Sequence, residues 1–206
     1  MNEDITQKVF KEILSGIERA RIKNEEISEE TLAKKLSLPA EEVKELIAAL
    51  VEKGNIRLER PLLLTEKGRK RLRVGLIGGV FDIIHAGHIA TLREARDRCD
   101  LLVVVIARDK TVTALKGKEP INDEGLRREI VEALKPVDAA VLGDEVDYTK
   151  PLTHVDPDVI FLGYDQELPE QLEASNMGYV VERIKAHVKG ANTSKMIEKI
   201  RGKGSS

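Results

Sequence analysis

A chain of 206 residues is long enough for one large domain or two small ones, and 41% hydrophobic with 34% charged residues marks a globular, soluble chain rather than a disordered one. A net charge of −2 argues against coating nucleic acid or an acidic membrane by bulk charge, and 3% aromatic residues without tryptophan are few for stacking bases along a strand. The single cysteine, Cys99, excludes an intramolecular disulfide and a cysteine-built zinc site, and is expected to fill core space. No apolar run approaches the roughly 20 residues of a membrane helix, and the start MNEDITQKVF lacks the order of a signal peptide, so a cytoplasmic location without membrane contact is expected.

The pattern over residues 1–72 is helical, with Val9, Phe10, Ile13, Leu14 and Ile17 recurring at helical spacing, as do Val43, Leu46, Ile47 and Leu50. Between these stripes Ser28 caps a short helix predicted to run through Leu36, and Pro39 suits a first helical turn. Gly54 closes the third helix. The stretch NIRLERPLLLTEKGRKRLR then predicts two short strands with a turn at Arg60 and Pro61. Three helices followed by a hairpin resemble a winged helix, so residues 1–72 are expected to form a small winged-helix-like domain.

From residue 73 onward, the runs RVGLIGG, LLVVVIA, AAVLG, DVIFLG and YVVERI alternate with helical segments. Near-continuous apolar runs suit parallel strands buried on both faces, which predicts an α/β fold with a doubly wound parallel sheet over residues 73–201 and a tail at 202–206. Ligands in such a fold sit beyond the carboxyl ends of the strands where strand order reverses, and the first and fourth strands should flank that crevice.

Directly after the first strand comes GGVFDIIHAGHIATL. Gly78 and Gly79 let the backbone turn and approach a ligand, while Gly87 and His88 open a helix whose amides suit phosphate. His85 and His88 are placed to donate hydrogen bonds to phosphate oxygens as transition-state charge grows. Either histidine alone reads first as a cap or a satisfied core residue; two of them, after a buried strand and a double glycine, reverse that order in favour of the chemical role.

Three later clusters follow. Lys116 and Lys118, on a glycine-containing loop after the second strand, offer mobile positive charge or else a solvated basic loop. Near the end of the fourth strand stands GYDQ, where Gly163, Tyr164 and Asp165 lie across the crevice from the histidines; Asp165 also reads as a helix cap and Tyr164 as packing. In GANTSKMIEKI, Thr193, Ser194 and local amides can bind phosphate with help from Lys195, while Asn192 or Thr193 could simply cap a helix.

These motifs together resemble the HxGH nucleotidyltransferase superfamily that includes glycerol-3-phosphate cytidylyltransferase and the archaeal FAD synthases, over roughly residues 73–201. The resemblance implies that His85 and His88 contact the triphosphate and stabilise the pentacoordinate phosphorus, and that Lys116, Lys118 and Arg127 join them as catalytic groups. It implies nucleotide contacts from Gly79, Val80, Phe81, Gly87, Gly163, Tyr164, Asp165, Thr193, Ser194 and Lys195, with no protein residue as a metal ligand. The chain departs from the family at Val80, where GTFD has threonine, and at His187, where arginine stands three residues before the last motif's glycine.

No nucleophile arrangement is recognisable, so direct transfer is expected, with Mg²⁺ or another divalent cation carried with the triphosphate. The stretches ARDKTV, LKGKEPI, RREIVEALKPVDAAVLG and GYDQ are most similar to archaeal FAD synthases, which implies ATP and FMN as substrates. CTP with glycerol 3-phosphate or a similar alcohol phosphate is the alternative, and a DNA-binding regulator with a nucleotide-sensing domain is a third reading. For the N-terminal domain a homodimer or other protein contact is expected ahead of DNA, because the third helix, AEEVKELIAALVEKG, is more acidic than basic although the hairpin and its exit are basic.

Overall fold

The computed structural model describes residues 3–173, 175, 177–186 and 188, and the chain divides into two compact units, residues 1–73 and 74–206. In the first, α1 (Glu3–Lys23), α2 (Glu29–Leu36) and α3 (Ala40–Glu52) precede an antiparallel pair, β1 (Ile56–Arg57) and β2 (Leu63–Leu64), and a one-turn helix α4 (Glu66–Arg69). Phe10, Ile13, Leu14 and Ile17 of α1 are buried with Leu32 of α2 and Val43, Ile47 and Leu50 of α3, the stripes that helical spacing selects. Ser28 caps α2 by accepting from the Thr31 N–H, as expected of that residue. The helix α4 was not foreseen: Thr65 accepts from the Gly68 N–H and donates to the Gly54 carbonyl, converting the predicted exit of the hairpin into a helical turn. Glu18 is the charged residue of this core, 2% exposed and paired with Arg21 at 2.6 Å and Arg69 at 3.5 Å.

The second unit runs β3 (Val74–Gly79), α5 (Ala86–Arg96), β4 (Leu101–Ile106), α6 (Asp109–Lys116), α7 (Glu124–Glu132), β5 (Ala139–Leu142), α8 (Thr149–Val155), β6 (Val159–Leu162), α9 (Glu170–Glu173) and β7 (Val180–Arg183). All five strands are parallel, in the order β5-β4-β3-β6-β7. The expected doubly wound sheet is therefore present, and its order reverses between β3 and β6, the first and fourth strands. Asp158 and Asp138 reinforce the register: each stands just before its own strand and accepts an N–H at the start of the neighbour, from Val74, the first residue of β3, at 2.7 Å and from Leu102, the second of β4, at 2.8 Å.

Side chains alternate across the sheet, so each strand feeds two layers. Ile77, Val104, Ala140 and Phe161 pack with Leu92 and Ala95 of α5 and Val131 of α7 on one face. Cys99 joins this layer, and burial pushes its thiol up to about 12, which makes it an inert core residue. The chain winds from β3 to β5 in one direction and returns to β6 in the other; right-handed crossovers then put α8 on the opposite face from α5. The carboxyl ends of β3 and β6 thus open into a cleft walled from both faces.

Candidate active site

This cleft has a volume of about 820 Å³ and is floored by Leu76, Ile77, Gly78 and Ile160 of the two central strands. One wall is the loop leaving β3. Phe81 takes a left-handed backbone there, φ 53°, which turns its ring back under the loop, 6% exposed. A Cβ on Gly79 would meet that ring at 2.7 Å, so glycine is required at this position by close approach.

His85 is the N-cap of α5, and its Nδ1 accepts the Gly87 N–H at 3.1 Å. The cap and the chemical role, which the sequence left as alternatives, are compatible: an accepting Nδ1 leaves the hydrogen on Nε2, as a donor. Gly87 itself differs from expectation, because its N–H is taken up by this cap. The His88 ring stacks on that of His85, centroids 3.8 Å apart and planes inclined by 21°, and meets Phe81 at 5.2 Å. Its Nδ1 is buried without a hydrogen-bond partner. Burial holds the His88 imidazole down at about 4, with the adjacent His85 and Lys116 adding to the effect, and burial also lowers His85. Both rings are neutral at neutral pH, and a bound anion would be met by N–H donors rather than by two cations.

Lys116 and Lys118 line the same cleft and are exposed. Lys116 belongs to the last turn of α6 rather than to the loop, and Gly117, φ 66°, ends that helix in the left-handed region. Gly163, Tyr164 and Asp165 line the cleft beyond β6, Tyr164 being 52% exposed, and Val80 lines it from the loop after β3. Thr193, Ser194, Lys195 and the His187 departure lie outside the described residues.

Arg127 is placed differently from the phosphate-contacting role expected of it. Its side chain is 0% exposed; Nε donates to the Asn122 carbonyl at 3.0 Å, Nη1 to the Val80 carbonyl at 2.5 Å, and Nη2 to the Ala107 carbonyl at 2.8 Å and Asp109 Oδ1 at 2.6 Å. It ties the loop after β3 to the loop after β4, and four of its five N–H groups are taken up within the protein.

Several residues of the site were not singled out in the sequence. Asp82, inside the GGVFD string, accepts the N–H groups of Ile121 and Asn122, both at 2.9 Å, and so fastens the loop that follows the lysines to the histidine loop. Gln166 spans the reversal point: its Oε1 accepts the Gly163 N–H at 2.9 Å and its Nε2 donates to the Gly78 carbonyl at 3.2 Å. From the sheet edge, Arg183 Nη1 donates to the carbonyls of Gly163 at 2.8 Å and Gln166 at 2.7 Å. Thr111 lines the cleft with a buried hydroxyl that has no partner. The strings GGVFD and GYDQ contained Asp82 and Gln166, but a string gives an acceptor without its donors.

The model of the cytidylyltransferase-like family matches residues 76–203. An FAD synthase of Aciduliprofundum boonei is 58% identical over 93 residues, which are 45% of this chain and 62% of that protein, so the chain spans less than two thirds of its length. The FAD synthases of Ferroglobus placidus and Thermoplasma acidophilum are each 46% identical, over 59% of this chain and over 84% and 88% of theirs. Among solved structures, a lipopolysaccharide core biosynthesis protein from Thermoplasma volcanium superposes with a TM-score of 0.52 at 41% identity, covering 57% of this chain and 99% of that one.

Proposed function

The chain belongs to the cytidylyltransferase-like family, and from that premise we propose that it transfers AMP from ATP to FMN, giving FAD and pyrophosphate. One observation supports the chemistry above the rest: two stacked neutral imidazoles, one with an unpartnered nitrogen, stand at a helix N-terminus beside the reversal point of a parallel sheet. The names of the relatives support the choice of substrates.

A terminal phosphate oxygen of FMN attacks the α-phosphorus in line. The bond from that phosphorus to the α,β-bridging oxygen breaks, and pyrophosphate leaves with the electron pair. FMN's phosphate is already anionic near neutral pH, so no general base is needed. His85 Nε2–H and the His88 ring donate to oxygens whose charge rises in the transition state, in a setting where burial strengthens such bonds. Lys116 and Lys118 offset the charge of the departing phosphates. Mg²⁺ or another divalent cation would be carried on the triphosphate and would help to offset its charge; the carboxylate of the histidine loop, Asp82, is occupied by backbone amides.

Incubating the chain with ATP, FMN and Mg²⁺ should give FAD and pyrophosphate in equal amounts, with CTP and glycerol 3-phosphate a poorer pair. Formation of CDP-glycerol without FAD would reverse the assignment.

The first unit is by this reading a winged-helix-like module for contact with a second copy or another protein. The exposed positions of α3 include Glu41, Glu45 and Glu52, which repel DNA phosphates. A location in the cytoplasm completes the reading, and among the described residues no helix is long and apolar enough to cross a membrane.

A further inference from the structure

Rings are scarce in this protein: the chain has three phenylalanines, three tyrosines and no tryptophan, all of them among the described residues. Phe10 is in the core of the first unit, and Phe81 and Phe161 are 6% and 0% exposed. Tyr179 is engaged with Ser175 and the Leu172 carbonyl. Apart from the histidine pair, Tyr148 and Tyr164 are therefore the rings that line the cleft without being buried.

The two tyrosines stand in different surroundings. Tyr164 is in the loop that Gln166 and Arg183 fasten at the β3–β6 reversal point, where a nucleotide sits in a doubly wound sheet. Tyr148 begins α8, on the face of the sheet opposite the histidine helix. Its N–H donates to Gln171 Oε1 at 3.1 Å, and Gln171 Nε2 donates to the Val146 carbonyl at 3.3 Å, which ties the start of α8 to α9. Pro151 and Leu152 of α8 and Leu168 and Leu172 of the segment after β6 line the same cleft as apolar groups, with Asp144 among the polar ones.

We propose that this wall is the subsite for the acceptor's flat ring system, with Tyr148 stacking on the isoalloxazine of FMN, while Tyr164 serves the nucleotide. The inference rests on FMN being the acceptor. In-line transfer brings the acceptor to the α-phosphorus from the side opposite the leaving pyrophosphate, so the two substrates need separate arms of one cleft. A volume of about 820 Å³ is ample for more than one such arm. An uncharged tricyclic ring suits a wall of proline, leucine and one tyrosine, whereas a glycerol chain offers it nothing to bury.

The test titrates the full chain with FMN alone and follows flavin fluorescence, which stacking on a tyrosine quenches. Tyr148→Ala should weaken FMN binding about tenfold and remove most of the quenching, the loss of one ring-on-ring stack, while KM for ATP stays within about twofold. Tyr148→Phe should keep the affinity of the parent. No side-chain cap bond is lost in either variant, because Tyr148 caps α8 without one. Tyr164→Ala should do the opposite, raising KM for ATP about tenfold at unchanged FMN affinity. Parental FMN binding by Tyr148→Ala, or its loss in Tyr164→Ala, would overturn the subsite even if the parent makes FAD. A parent chain that neither binds FMN nor makes FAD would overturn the acceptor assignment and the subsite with it.

Discussion

Arg127 and His88 belong to neighbouring segments of one unit, and their difference separates holding from binding. Arg127 is buried with three carbonyls and a carboxylate around it. His88 is partly buried, and its Nδ1 has no partner at all. Burying a polar group is costly unless it is hydrogen-bonded, so the first arrangement stabilises the loops, whereas the second leaves a cost that a ligand contact would offset, as the proposed role of His88 requires. Capacity to bind lies in the bonds a residue has not yet made, not in its polarity.

The largest effect that would test this contrast is on stability. Arg127→Met leaves the Val80 and Ala107 carbonyls and the Asp109 carboxylate without their donor. It should destabilise the second unit by about 3 kcal/mol, the low end for a broken buried pair because Asp109 keeps some contact with water. Urea unfolding of the variant would measure it. A loss below about 1 kcal/mol, with activity reduced more than about 100-fold, would return Arg127 to the phosphate-contacting role.

His85→Ala and His88→Ala should show the reverse pattern. Each should lower turnover by about 10²-fold, equivalent to about 2.7 kcal/mol of transition-state stabilisation, with unfolding free energy changed by less than about 1 kcal/mol. Near-parental kcat in either folded variant would remove the histidines from the mechanism.

The same contrast explains what the sequence could and could not say. The strand runs were legible because parallel strands buried on both faces are apolar along their whole length, and the β3–β6 reversal followed from the alternation. His85 and His88 were legible because a double glycine, a strand end and a helix start are all local. Arg127 and Arg128 are adjacent in one amphipathic helix, and nothing local says that the first is buried and the second exposed. The partners of Asp82 are about 40 residues away and the carbonyl that Gln166 reaches is 88 residues away, so their roles exist only in the fold. The strands β1 and β2 are two residues each, too short for period-two patterning to fix their ends, and Thr65 redirects the chain into α4.

A pH series sharpens the histidine side further. The unfolded chain takes up the His88 proton near 6.5, whereas the folded protein does so only at about 4. The stability that His88 contributes is therefore fully present above about 6.5 and is lost as pH falls from there towards 4. A His88→Asn variant should lose stability less steeply across that window. Bound triphosphate favours the imidazolium, so ATP binding at pH 6 should take up protons, which calorimetry in buffers of different ionisation enthalpy would register. Binding heats that do not depend on the buffer would mean that His88 stays out of reach of the phosphates.

A smaller effect is expected from the lysines, which line the cleft and are exposed. Replacing Lys116 and Lys118 together with alanine should raise KM for ATP about tenfold and leave KM for FMN within about twofold, since the partners proposed for them are phosphate oxygens of the leaving group. Equal losses for both substrates would mean that the pair shapes the cleft rather than the triphosphate site.

The smallest effect should follow from the largest deletion. The family match starts at residue 76, and every described group of the proposed chemistry belongs to the unit of residues 74–206. Removing residues 1–73 should therefore leave FAD formation within a few-fold of the full chain, because the strand order, the histidine cap and the Arg127 ties are all internal to what remains. If the first unit joins two copies, the truncated chain should sediment as a monomer while the full chain sediments as a dimer. If it binds DNA instead, the contacts must come from the exposed hairpin and its exit, where Arg57, Arg60, Lys67 and Arg71 lie, and each lost phosphate contact should lower the salt slope by about one. The acidic surface of α3 favours the first outcome. Sequence-selective DNA binding by residues 1–73 at moderate salt would overturn that preference and make the unit a reader of DNA attached to the proposed FMN adenylyltransferase unit.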